Sequence, residues 1–175
     1  LSALLDANKR ADLFNRILSD GPDLGADLFC DFFQEHYSDR KGLKQDFTPQ
    51  ALSYLTQALA GSDGGVVVDV CAGSGSMTIK QWEHNKGGRF YCFELSKVAL
   101  PFLLCNLAIR GMRATVIHGD VITREAEAVY EIMPDGVFSE IVMGEPVYPR
   151  KGIEADVVLM NPPFSVKWNR KADER

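Results

Sequence analysis

Apolar positions along the chain follow one period at first and another later, and the change separates two kinds of structure. Over residues 3–18, Leu4, Leu5, Ala11, Leu13, Phe14, Ile17 and Leu18 recur at helical spacing, and Ser19-Asp20-Gly21-Pro22 stops the run. The pattern predicts a second helix over 25–37, burying Leu28, Phe29, Phe32 and Phe33. Thr48-Pro49 predicts the start of a third over 49–60, with a hydroxyl to cap free N–H groups and a proline suited to the first turn. From Gly64 the character shifts, because Val66-Val67-Val68-Asp69-Val70 is a β-branched run between turn residues, as expected of a strand buried on both faces.

A glycine-rich loop and a helix follow that strand, then a second strand over 89–95. Ser96 is placed to cap the next helix, which carries Leu100, Leu103, Leu104, Leu107 and Ile109 and ends at Gly111; Pro101 inside it predicts a kink or a late start. A third strand is predicted over 114–118, then a polar helical stretch, an irregular insertion over 134–152 readable as a surface hairpin, and a fourth strand over 155–160. Alternating strand and helix predicts an α/β fold, a Rossmann-like sheet of about four parallel strands with crossover helices. The division expected is an N-terminal helical segment, 1–44, followed by a ligand-binding domain, 45–175.

Composition changes this picture only at the margins. At 175 residues, 46% hydrophobic and 25% charged, the chain has enough apolar material for one ordinary folded domain. No apolar run approaches the ~20 residues that cross a bilayer, and Leu1 to Arg10 lacks a signal-peptide pattern, so a cytoplasmic protein without membrane contact is expected. Since the first residue is not methionine, the chain reads as a segment of something longer. Cys30, Cys71, Cys92 and Cys105 have no C-x-x-C pairing and no histidine at ligand spacing, which predicts free thiols and no metal. A formal net charge of −5 predicts weak DNA binding by this segment alone. Basic residues cluster at Arg40, Lys41 and Lys44, best read as a solvated face, and again at Lys167, Arg170, Lys171 and Arg175.

Candidate chemistry lies at the predicted strand ends. In Asp69-Val70-Cys71-Ala72-Gly73-Ser74-Gly75-Ser76, glycines let backbone approach a ligand and the following helix offers free N–H groups. Dinucleotide binding is disfavoured, because Thr78 stands where a third small residue belongs and Asp69 would repel a pyrophosphate; the acidic residue suits the cationic amino-acid part of a ligand. Glu94, roughly 20 residues past the glycines, stands where a carboxylate meets ribose hydroxyls, and Asp120 in Gly119-Asp120-Val121 could accept from an adenine amino group. Taken singly, a tight ligand-free turn and solvated strand-end carboxylates account for these residues equally well; taken together they do not.

Asn161-Pro162-Pro163-Phe164 is the sharpest signal. Two prolines lack N–H groups and fix φ, so the turn is stiff and its carbonyls face outward. Adenine N6 is a weak nucleophile whose lone pair is shared with the ring. The Asn161 side-chain oxygen and the Pro162 carbonyl can each accept one amine hydrogen, while Phe164 stacks on the extruded base. A rigid Pro-Pro turn with a packed phenylalanine is the bland alternative.

With these residues in the order Gln45-Asp46-Phe47-Thr48-Pro49-Gln50, Asp69 to Ser76, Glu94, Gly119-Asp120 and Asn161 to Phe164, the chain resembles the adenine-N6 DNA methyltransferases, most closely the modification subunit of type I restriction systems. The Phe-Thr-Pro element distinguishes this group from other methyltransferases with a similar tetrapeptide. The resemblance implies S-adenosylmethionine as cofactor, with Phe47, Thr48 and Pro49 at its methionine part, Gly73, Ser74 and Gly75 at its backbone, Glu94 at the ribose and Asp120 with Val121 at the adenine. It also implies Asn161, Pro162, Pro163 and Phe164 as catalytic residues, and a specificity or partner subunit. The loop departs from the common Asp-Pro-Ala-Cys-Gly-Ser-Gly, and family members continue past the fourth strand into further strands and a target-recognition region. Two other readings stay open: methyl transfer to guanine N2 of ribosomal RNA or to a protein glutamine, and a cofactor-binding subunit or fragment without turnover.

Overall fold

A computed structural model describes residues 1–37, 48–61, 65–149 and 152–162. The N-terminal periodic run forms two helices, α1 (Ser2–Leu5) and α2 (Ala7–Ser19). The break falls at Asp6, whose carboxylate accepts from the Asn8 and Lys9 amides and caps α2. Helix α3 spans Cys30–Tyr37, a turn and more shorter than the spacing predicts. Residues 25–29 are instead irregular, since Asp23 and Asp27 each bond to the amide two residues on. Phe29 packs on the core as expected, whereas Phe32 is 46% exposed and rests one side on Phe102.

Helix α4 (Gln50–Ala60) starts within a residue of its predicted position but without the predicted cap. Pro49 is the N-cap residue and the Thr48 hydroxyl is engaged elsewhere. Then come β1 (Val66–Asp69), α5 (Ser76–His84), β2 (Arg89–Glu94), α6 (Leu100–Ile109) and β3 (Arg113–Asp120). Ser96 receives the Ala99 amide, and Pro101 sits in the first turn of α6, so the late start and not the kink is what occurs.

The polar stretch after β3 is not helical. Residues Glu125–Asp135 form β4 and Phe138–Gly144 form β5, an antiparallel hairpin closed at Gly136-Val137. Glutamate and alanine favour a helix locally, but Tyr130 and Ile132, buried on either side of Glu131, pair with Val116 and Ala114 of β3, where their burial outweighs propensity. Strand β6 (Val157–Leu159) completes a six-stranded sheet ordered β5-β4-β3-β2-β1-β6. The pairs β1–β2, β2–β3 and β1–β6 are parallel.

One face of the sheet carries Val67, Phe90, Cys92, Ala114, Val116, Ile132, Ile141 and Val157, packed with side chains of α1, α2, α5 and α6 into one core. The opposite face centres on Val68, Phe93 and Ile117, with Tyr148, Ile153 and Ala155, which lie between β5 and β6 in the chain, packed against it. Among the described residues, no helix is long and apolar enough to cross a membrane.

Candidate functional site

The parallel pairings place the C-terminal ends of β1, β2, β3 and β6 along one edge of the sheet. Asp69, Glu94 and Asp120 are the last residues of their strands, and Asn161 follows two residues after Leu159. From β1 the chain runs outward to β2 and β3 on one side and returns through β6 on the other. Such a reversal opens a crevice beyond the strand ends, the usual ligand position in open α/β sheets.

The glycine-rich loop leaves β1 at that edge. Gly73 and Gly75 both have positive φ (58° and 99°), and a side chain at Gly75 would meet Leu103 at 3.0 Å, so the turn from β1 into α5 needs glycine there. Glu94 is buried and ties the loop to β2: one oxygen accepts from the Gly73 amide at 2.7 Å and the other from the Ser96 amide at 2.6 Å. Asp69 is 1% exposed. Its Oδ2 accepts from the Thr78 hydroxyl at 2.7 Å, while its Oδ1 has no hydrogen-bond partner among the described residues. Burial raises the Asp69 carboxyl to about 6; the Thr78 hydroxyl and the Cys71 amide oppose the rise and the Glu94 charge adds to it. Thr78, which argues against dinucleotide binding from sequence, thus has a positive role in holding Asp69.

Asp120 Oδ1 accepts from the Ile122 and Thr123 amides at 2.8 and 3.4 Å, closing a turn at the end of β3, and Val121 packs on the second core cluster. Asn161 Nδ2 donates to the Thr48 hydroxyl at 2.8 Å, joining two segments that are 113 positions apart. Pro49 and Pro162 are exposed beside this contact. Phe47, Pro163, Phe164 and both basic clusters lie outside the described residues.

The structure therefore brings the glycine loop, Asp69 and Glu94 together at the adjacent ends of β1 and β2, and Thr48 together with Asn161. None of the four cysteines is joined in a disulfide. Burial, with the charges of Asp69 and Glu94, pushes Cys71 up to about 11, which keeps it protonated and unfit as a nucleophile. Among the described residues, no group of three or more histidine, cysteine or carboxylate side chains could hold a metal ion.

Sequence reading missed one part of the site. Asp27 accepts hydrogen bonds from the hydroxyls of Ser74 and Ser76 inside the loop and from Asn106 of α6. Nothing local marks Asp27 for this role, since its side-chain partners lie 47 and more positions away.

Residues 23–175 match the N-6 DNA methylase family. That span covers most of the chain and every strand of the sheet, and the chain belongs to this family of DNA methyltransferases. No curated protein sequence matches it.

Proposed function

We propose that the chain binds S-adenosylmethionine at the β1–α5 loop and carries the methyl-transfer motif for adenine N6 in DNA, in the manner of a type I modification subunit. The contact between Thr48 and Asn161 carries this reading. With Nδ2 held by Thr48, the Asn161 side-chain oxygen is the group left to accept a hydrogen from the substrate amine. Family membership supports DNA as the acceptor over ribosomal RNA or protein.

The residues at the crevice fit the cofactor. Asp69 has a buried carboxylate oxygen with no hydrogen-bond partner among the described residues, in a loop also flanked by Glu94, and this negative surrounding favours an ammonium or sulfonium group over a phosphate. In this reading Thr48 and Pro49, with Phe47, flank the methionine part, Gly73, Ser74 and Gly75 present backbone, Glu94 faces the ribose, and Asp120 with Val121 the adenine. S-adenosylmethionine supplies an electrophilic methyl group on a cationic sulfur. The chain's part is to place the amine: Asn161 and the Pro162 carbonyl draw its hydrogens away from the ring plane and hold the lone pair in line, with Pro163 and Phe164 bounding the base. Positioning of this kind and preorganised acceptors supply most of the acceleration.

In this reading residues 1–44 are the segment that precedes a methyltransferase domain, 45–175, and its helices α1 and α2 pack on that domain's core. DNA recognition requires a specificity or partner subunit in the cytoplasm, because a chain of net charge −5 holds phosphate weakly.

Calorimetric titration with S-adenosylmethionine, followed by transfer of labelled methyl groups to unmethylated duplex DNA, ribosomal RNA and protein, tests the proposal. Saturable binding with label on DNA adenine supports it; label on another acceptor or on none refutes the acceptor assignment. Thr48→Val, which keeps the shape and removes the oxygen, should lower turnover about tenfold, the effect of one lost hydrogen bond to an acceptor-orienting amide, with little change in cofactor affinity. Equal losses of both would show that Thr48 serves the cofactor alone.

A further inference from the structure

Beneath the glycine-rich loop lies a buried polar cluster that reaches back to the segment before α3. Asp27 Oδ2 accepts from the Ser76 hydroxyl at 2.7 Å and from the Ser74 hydroxyl; Oδ1 accepts from Asn106 Nδ2 at 2.7 Å and from the Phe29 amide at 3.0 Å. Asn106 Nδ2 also donates to the Ser74 carbonyl at 2.8 Å. Arg110 donates to the Asn106 carbonyl and side-chain oxygen at 2.6 and 3.0 Å, to the Leu24 carbonyl at 2.8 Å and to that of Ala26. Ser74, Ser76, Asn106 and Arg110 are all buried.

Four donors converge on the Asp27 carboxylate, which is what an ionised carboxylate can accept and an amide cannot. The Arg110 charge answers it across Asn106, so that burial, which pulls Arg110 down to about 10, is opposed first by Asp27. The cluster acts on a loop that needs holding. Gly73 and Gly75 have wide conformational freedom, and a loop left loose must be ordered at the expense of ligand affinity.

We propose that Asp27 is a positioning residue for the cofactor site: through Ser74 and Ser76 it fixes the glycine loop and the first turn of α5 in ligand-ready form, and the segment 23–29 is thereby a wall of the site. The affinity part of this inference rests on the reading that the loop binds S-adenosylmethionine; the loop-ordering part does not.

Asp27→Asn, which keeps the size and removes two acceptor positions, is the variant to measure, with hydrogen exchange of the backbone over residues 70–78 compared with β2 and β3, beside calorimetry with S-adenosylmethionine. The double variant Ser74→Ala/Ser76→Ala serves if Asp27→Asn does not fold, since it leaves Asp27 bonded to Asn106. The expected result is exchange about tenfold faster in the loop with β2 and β3 unchanged, and affinity about tenfold weaker. Exchange that rises uniformly, or a loop that does not loosen, overturns the proposal, because Asp27 would then serve overall stability only. A loosened loop with wild-type affinity overturns its cofactor part. If the wild-type protein shows no binding while the variant's loop loosens, the hold of Asp27 on the loop stands and the cofactor reading falls.

Discussion

Asp69→Asn should weaken S-adenosylmethionine binding by about 100-fold, the scale of a charged hydrogen-bonded contact removed from a buried site, and at the same time raise the melting temperature at about pH 8. Both effects come from one observation. Asp69 is buried with one oxygen unpartnered among the described residues, and its carboxyl is raised to about 6, so near neutrality the protein holds an ionised group in an environment that disfavours it. A carboxyl whose folded value lies above its ordinary 3.8 contributes stability that is present below 3.8 and is lost as pH rises through about 6. At about pH 8 the penalty is fully in force and amounts to roughly 3 kcal/mol, which in a chain of this size corresponds to several degrees. Asparagine retains an acceptor for Thr78 and carries no charge. The stabilisation should therefore appear at about pH 8 and disappear at about pH 4, where wild-type Asp69 is itself protonated.

Binding provides the opposite reading of the same group. A cation beside Asp69 favours the ionised form, so wild-type affinity should fall as pH drops below about 6 and the asparagine variant should lack that dependence. Thermal denaturation at two pH values and calorimetry across the range test both halves. A variant that is destabilised at about pH 8 would show that Asp69 is a structural acceptor whose burial is already compensated, and a variant with wild-type affinity would remove it from the cofactor site.

How much of this site was legible beforehand depends on how locally each part is encoded. Strand β1, the loop after it and the acidic residues at three strand ends are written in contiguous residues: a β-branched run, two glycines with positive φ, a carboxylate where the strand stops. Strand β4 was hidden because Glu125, Ala126, Glu127 and Ala128 favour a helix, and only pairing with β3 turns their alternation into a sheet face. The Thr48 hydroxyl looked like a helix cap because capping is what a threonine before a helix most often does; its actual partner, Asn161, is on the far side of the sequence. Asp27 was illegible for the same reason, and its engagement with Ser74 and Ser76 accompanies the irregular course of residues 25–29 where helical spacing predicted a helix. Long-range polar contacts leave no periodic trace, whereas apolar faces and turns do.

Asn161→Ala should reduce methyl transfer to DNA about 1000-fold while leaving S-adenosylmethionine affinity within about threefold of wild type, the pattern of an interaction made chiefly in the transition state. The asymmetry follows from placement. Asn161 stands past the end of β6, while Asp69, Glu94 and the glycine loop stand at β1 and β2, and its described hydrogen bond goes to Thr48, not to that cluster. On the proposed role, removing the amide would deprive the amine of the acceptor that localises the nitrogen lone pair, and the weak aromatic nucleophile would revert to its unassisted reactivity. Asn161→Asp provides the sharper comparison. An aspartate can accept the amine hydrogen, and it still bonds Thr48 if the hydroxyl reverses its role from acceptor to donor. Partial activity in the aspartate variant with near-complete loss in the alanine variant would identify the side-chain oxygen as the working group; equal loss in both would assign it to the shape of the turn, and a matched fall in cofactor affinity would move Asn161 out of the catalytic step altogether.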